Sequence, residues 1–247
     1  MKKRDRQHWL RFLLFGIALW VGAGAQAGVV TQVQIRDADG GMGADGASFG
    51  FYLEGTASYI NGTDDGGAFI NLGVGTFSLD ADWGSGFQSL LTYCLEPTQN
   101  VMFGLYANDP VGLTYEAADI TDVGYTEDQK QILETLWANA FDDSLTSDVK
   151  AAAFQAVLWE ISIDDEYFFT DGNFALNFNE PYTLDVILQA REWLDNILNG
   201  VWTTKVDLVA LHNETSQDFL VPVSTIPGPG ALAVMGVAGL IKRRRRS

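Results

Sequence analysis

The chain has 247 residues, 32 of them acidic and 15 basic, for a formal charge of −17. Such a field repels nucleic acid and anionic glycans and favours solubility, and it suits salty or calcium-rich surroundings. A single cysteine excludes an internal disulfide.

The chain opens with MKKRDRQHWLR, then FLLFGIALWVGAGA, then AQA. A basic region, an apolar region and a small-x-small triplet make a secretory signal peptide over residues 1–27, with Ala25 and Ala27 as the cleavage residues. Only five basic residues, Arg36, Lys130, Lys150, Arg191 and Lys205, stand between positions 28 and 241. The body is therefore more acidic than the whole chain.

Four alternating segments follow, VVTQVQI, SFGFYLEG, AFINLGVGTFSL and FQSLLTYCL, separated by Gly, Asp and Asn turns. They predict strands. In the last, Gln88, Leu90, Thr92 and Cys94 share one face, and Phe87, Ser89, Leu91 and Tyr93 the other. From about 115 to 200 the period becomes helical. TEDQKQILETLWANAF starts at a Thr126 cap, with Ile132, Leu133, Leu136 and Trp137 as its stripe. SDVKAAAFQAVLWEI starts at a Ser147 cap, with Phe154, Val157, Leu158 and Ile161 as its stripe. TLDVILQAREWLDNILNG runs from a Thr183 cap to a Gly200 stop. WTTKVDLVAL and QDFLVPV then return to strand character. Strands, helices, strands predict an α+β chain: a β-sandwich or barrel with an inserted helical subdomain, one domain over residues 28–223.

The end, residues 224–247, reads STIPGPGALAVMGVAGLIKRRRRS. Pro227 and Pro229 precede a short apolar segment, and Arg243, Arg244, Arg245 and Arg246 follow it. The apolar run is short for a membrane span, and the arginines would stay on the cytoplasmic side. This tail resembles the PEP-CTERM sorting signal of Gram-negative and related bacteria, with Gly228 where that motif has Glu. The resemblance implies export and handling by an exosortase-type membrane enzyme. It also implies a place in the cell envelope, on the outer surface or in the extracellular matrix. The membrane would be met only through this segment.

The stretch AAAFQAVLWE places Gln155 among Ala151, Ala152, Leu158 and Trp159 on a helix. A buried carboxamide without partners costs about 1–3 kcal/mol. The lone Cys94 offers a reason for it. A thiolate held against a carboxamide can displace ammonia and leave a thioester, an internal acylating agent that an outside amine or hydroxyl can open. That chemistry needs contact and exclusion of water. Tyr93 and Leu95 flank the cysteine, and Phe154, Leu158 and Trp159 surround the glutamine. The alternative is a buried free thiol at Cys94 and a Gln155 bonded to strand backbone, tying helix to sheet. Tyr93-Cys94-Leu95 and Phe154-Gln155-Ala156-Val157-Leu158 resemble the two motifs of the thioester domains of bacterial surface adhesins. The resemblance implies a β-sandwich with a helical insertion, Cys94 and Gln155 as the cross-linked pair, and capture of surface nucleophiles without turnover.

Other constellations are weaker. A cysteine hydrolase would need His212 as base, but LVALHNETS reads as a strand end and turn. DADGGMGADG and NGTDDGG suggest calcium loops, with Asp37 and Asp39 at usable spacing, yet Ser48 stands where an EF-hand loop needs Glu. No cofactor is expected and no metal ligand is assigned; calcium stays open. The expectation is an exported adhesive protein, with a non-reactive matrix or biofilm component of the same fold as the alternative.

Overall fold

The computed structural model describes residues 32–38, 48–60, 69–97, 99, 112–164, 167–178 and 181–227. The signal segment with Ala25 and Ala27, the tail with Pro229 and Arg243 to Arg246, Asp39 and the NGTDDGG stretch lie outside them; Pro227 is the last described residue. Eight strands run β1 (Gln32–Asp37), β2 (Ser48–Ile60), β3 (Phe69–Asp82), β4 (Gln88–Cys94), β5 (Leu113–Ala118), β6 (Phe174–Leu176), β7 (Leu208–His212) and β8 (Phe219–Pro222). Three helices are α1 (Glu127–Ser144), α2 (Asp148–Ile163) and α3 (Thr183–Leu198).

The sheet closes into a barrel, not a sandwich. Its order is β1-β5-β7-β8-β4-β3, and β1 returns to pair with β3. All the pairings are antiparallel. The long β3 makes this closure. Its end, Leu79 to Asp82, pairs with β1, while Phe69 to Ser78 pair with β2. β2 carries β6 beyond it, so this arm extends past the barrel. Helices α1 and α3 pack on α2, and α2 packs on β2, β3, β4 and β6.

The helix starts follow the sequence at two places. Thr126 accepts from the Gln129 amide, and the Gln129 side chain returns to the Thr126 N–H. Ser147 accepts from Lys150 N–H. The third start differs. The residue before α3 is Tyr182, in the left-handed region at φ 67, and it makes no side-chain cap. The Thr183 hydroxyl instead donates to the Asn177 carbonyl at 2.7 Å. At the other end, Gly200 at φ 68 follows the helix, and its N–H meets the Ile197 carbonyl.

Two strands within the expected helical region correct its boundary. Leu113–Ala118 is a barrel strand, and β6 interrupts the helices. Both are short, and β5 buries only Tyr115 fully, so neither carries an extended apolar pattern. WTTKVDLVAL is strand only from Leu208 onward. Asp37 belongs to β1, opposite Leu79, rather than to a loop.

α2 is more central than a single stripe implies. Every residue from Ala151 to Ile161 is buried, as expected of a helix enclosed on all sides. Phe154 anchors it: its ring lies 4.4 Å from Tyr93, 5.8 Å from Trp137, 6.1 Å from Phe141 and 6.2 Å from Trp193. Phe154→Ala should cost about 3–5 kcal/mol, whereas Thr126→Ala at the exposed cap should cost about 1 kcal/mol. Denaturant melts will show this as a lower midpoint at unchanged slope.

Candidate functional site

Cys94 ends β4, and its surroundings follow from the strand period. Tyr93 and Thr76 are on the outer face of the sheet, beneath the helices. Tyr93 accepts from the Thr76 hydroxyl at 2.9 Å and donates to Ser144 at 2.7 Å, and Ser144 donates to the Phe141 carbonyl at 2.6 Å. All three hydroxyl residues are fully buried, so the chain of bonds spares each one an unpaired group. Burial pushes the Tyr93 phenol up to about 12, with Ser144 and Thr76 opposing.

Cys94 stands opposite Phe219 on β8, so the two side chains share the other, interior face. Phe219 in turn packs on Phe77 at 5.3 Å and Tyr115 at 5.8 Å. The Leu95 N–H bonds the Asp218 carbonyl at 2.9 Å. By alternation, the backbone groups of Cys94 face β3. Yet the β3–β4 register ends at Phe77 opposite Thr92. Two residues on, Gly75 is instead in close backbone contact with Phe51 and Tyr52 of β2. Cys94 thus has no strand partner on that side.

Gln155 takes that place. The Cys94 N–H donates to Gln155 Oε1 at 3.0 Å, and Gln155 Nε2 donates to the Cys94 carbonyl at 2.8 Å. The carboxamide reproduces the two bonds a neighbouring strand would make. Gln155 is 0% and Cys94 2% exposed, so water competes for neither. Of the lining residues expected from the sequence, Tyr93, Leu95, Phe154, Leu158 and Trp159 are all buried. The Tyr93 and Phe154 rings meet beside the pair at 4.4 Å, tilted by 32°. Trp159 packs against Phe174 at 5.9 Å, on the β6 side.

A half-buried polar cluster next to Cys94 was not anticipated. Asp218 accepts from the Asn213 N–H at 2.8 Å, and its other oxygen lies 2.7 Å from His212 Nδ1. His212, which the sequence places at a strand end and turn, is therefore paired. Glu96 accepts from the Asp218 N–H at 3.4 Å, and its carbonyl accepts from the Gln217 amide. The Leu95 carbonyl accepts from Tyr125 at 2.6 Å. The only sequence signal was proximity: Glu96 follows Cys94 by two positions in CLEP, but β4 ends at Cys94 and the chain bends at Leu95, so strand spacing does not place it.

The electrostatics follow from burial. It raises the Cys94 thiol well above its ordinary value, and the charge of Glu96 adds to this. It raises Glu96 to about 8, with Asp218 contributing. Asp218 is raised by burial too, opposed by His212 and the Asn213 N–H. On α2, burial raises Glu160 to about 7 despite the Phe169 N–H on one oxygen.

Among the described residues, no group of three or more His, Cys, Asp or Glu is placed to hold a metal ion. No helix among them is long and apolar enough to cross a membrane. No protein-family model, curated protein or solved structure matches the chain.

Two outcomes test this geometry. Gln155→Leu orphans the Cys94 N–H and C=O, so it should cost about 1–3 kcal/mol for each group, read from chemical denaturation. The second concerns pH. Glu96, Glu160 and Asp218 all bind protons more tightly folded than unfolded. The stability they contribute is complete below the ordinary carboxylate value near 4.5 and is lost as pH rises through about 7 to 8. The melting temperature should therefore be higher at about pH 5 than at about pH 8.5, and Glu160→Gln should flatten the difference.

Proposed function

We propose that this is an exported surface or matrix protein that attaches itself covalently. Cys94 and Gln155 close into an internal thioester, which an amine or hydroxyl on a surface or matrix component opens to form a lasting bond. The observation that carries the reading is the Gln155 carboxamide seated on Cys94 itself, with both residues excluded from water. The Cys94 N–H already points at Oε1, where negative charge develops when sulfur attacks the carbonyl carbon. Closure needs the carboxamide carbon to turn from the Cys94 backbone onto its sulfur. The surrounding aromatic rings keep out water that would hydrolyse the product. The PEP-CTERM-like tail supports export and processing by an exosortase-type enzyme. The chemistry is single-use, so the protein is a binder and not a turnover enzyme.

A second reading is favoured by the completeness of the two hydrogen bonds. An amide bound at both ends is a sufficient tie between helix and sheet, and the protein would then be a non-reactive matrix component with Cys94 as a buried thiol.

Intact mass separates the two. The thioester predicts a purified chain lighter by one ammonia than its sequence, gaining one methylamine on treatment with that amine. Cys94→Ala should abolish both effects. A full mass that methylamine leaves unchanged is the result expected of the tie alone.

A further inference from the structure

We propose that His212 and Glu116 form a surface site for a divalent metal ion of the zinc type, with Asp218 holding the imidazole in the ligating tautomer. The site is separate from the Cys94–Gln155 pair and does not rest on the thioester reading. β5 and β7 run antiparallel, with Glu116 directly opposite His212. Their chain neighbours Tyr115 and Leu211 are fully buried, so strand alternation puts Glu116 and His212 together on the outer face. Side chains so opposed start about 4.5–5.5 Å apart at Cβ. That span lets an imidazole nitrogen and a carboxylate oxygen meet on one ion, each about 2.0–2.2 Å from it. Glu116 is exposed, so its carboxylate is free to swing onto the ion.

Asp218 decides which ring nitrogen is offered. Its Oδ2 lies 2.7 Å from His212 Nδ1, and its Oδ1 accepts from the Asn213 N–H at 2.8 Å. A carboxylate can only accept, so Nδ1 carries the ring proton and Nε2 keeps its lone pair. The same carboxylate–histidine pairing sets the tautomer and orientation of metal-binding imidazoles. Exposure agrees with this placement: the Asp218 side chain is 6% exposed and that of His212 37%. The ring edge away from Asp218, which carries Nε2, is therefore the edge that meets solvent. It borders a surface hollow of about 390 Å³, also lined by Thr114, Glu116, Asn213, Glu214 and Thr215.

The hollow is charged for a cation. Two carboxylates, Glu116 and Glu214, line it, and no lysine or arginine does. Neither carboxylate is in an ion pair among the described residues. Imidazole with carboxylate is a donor set for zinc and its transition-metal neighbours, whereas calcium takes oxygen ligands. Two side chains ligate, in keeping with the lack of any three-residue group among the described residues. The remaining positions fall to water or to a donor from a second molecule, as in zinc sites that keep an open position.

The test is calorimetric titration of zinc chloride into the metal-free full chain. The wild type should bind zinc and melt at a higher temperature with zinc than without. Calcium chloride at the same concentration should do neither. Glu116→Gln, an exposed change, should weaken zinc binding at least about 10-fold and remove the rise in melting temperature. Asp218→Asn probes the tautomer. The Asn213 N–H orients the new amide so that its nitrogen faces His212, which moves the ring proton to Nε2. Zinc affinity should fall about 10–100-fold, and long-range proton–nitrogen NMR spectra without metal should show the His212 tautomer reversed. A wild-type chain that binds no zinc overturns the site. So does calcium binding as tight as zinc, or a Glu116→Gln chain that binds zinc as the wild type does. A wild-type His212 with its proton on Nε2 overturns the role of Asp218. Should Asp218→Asn fail to fold, the wild-type spectrum and the Glu116→Gln titration decide.

Discussion

One carboxamide joins the two halves of this molecule. Gln155 projects from a helix buried on every side and satisfies the backbone of Cys94, which β3 leaves without a partner. Each group so satisfied is spared about 1–3 kcal/mol, against a total stability of only about 5–15 kcal/mol for a typical domain. The end of β4 and the seating of α2 on the barrel therefore depend on each other. The aromatic cluster of Tyr93, Trp137, Phe141 and Phe154 supplies the apolar contact around that joint. The amide fixes its register.

The same joint suits chemistry for the reasons it suits structure. A dry site removes the competing hydrogen bonds of water and strengthens those that remain. It also raises the Cys94 thiol, and it raises the neighbouring carboxyls of Glu96, to about 8, and of Asp218. A tie between helix and sheet needs only the amide.

Much of this was legible in the sequence. Thr126 and Ser147 marked their helices because an N-cap signal is local. The amide in AAAFQAVLWE pointed to Cys94 because a buried polar group needs a partner, and the cysteine was a singular residue on a predicted strand. Other features depend on contacts the sequence does not display. Thr183 reads as a cap, but Tyr182 adopts a left-handed turn and the hydroxyl serves Asn177. LTYEAA shows one inward aromatic and little else, and it becomes a strand because β1 and β7 supply its partners. Closure into a barrel rests on β3 pairing successively with β2 and β1 along one edge, which no local pattern encodes. His212 lacked a visible partner because Asp218 reaches it from across a turn.

The account rests on a bond between Cys94 and Gln155, and thiol titration of the freshly denatured chain at mildly acidic pH tests it most directly. Denaturation removes burial as a reason for an unreactive sulfur, so only covalent blockage can hide it. The account predicts no free thiol at first, and one per chain after hydroxylamine is added. One free thiol per chain at the moment of unfolding would contradict it.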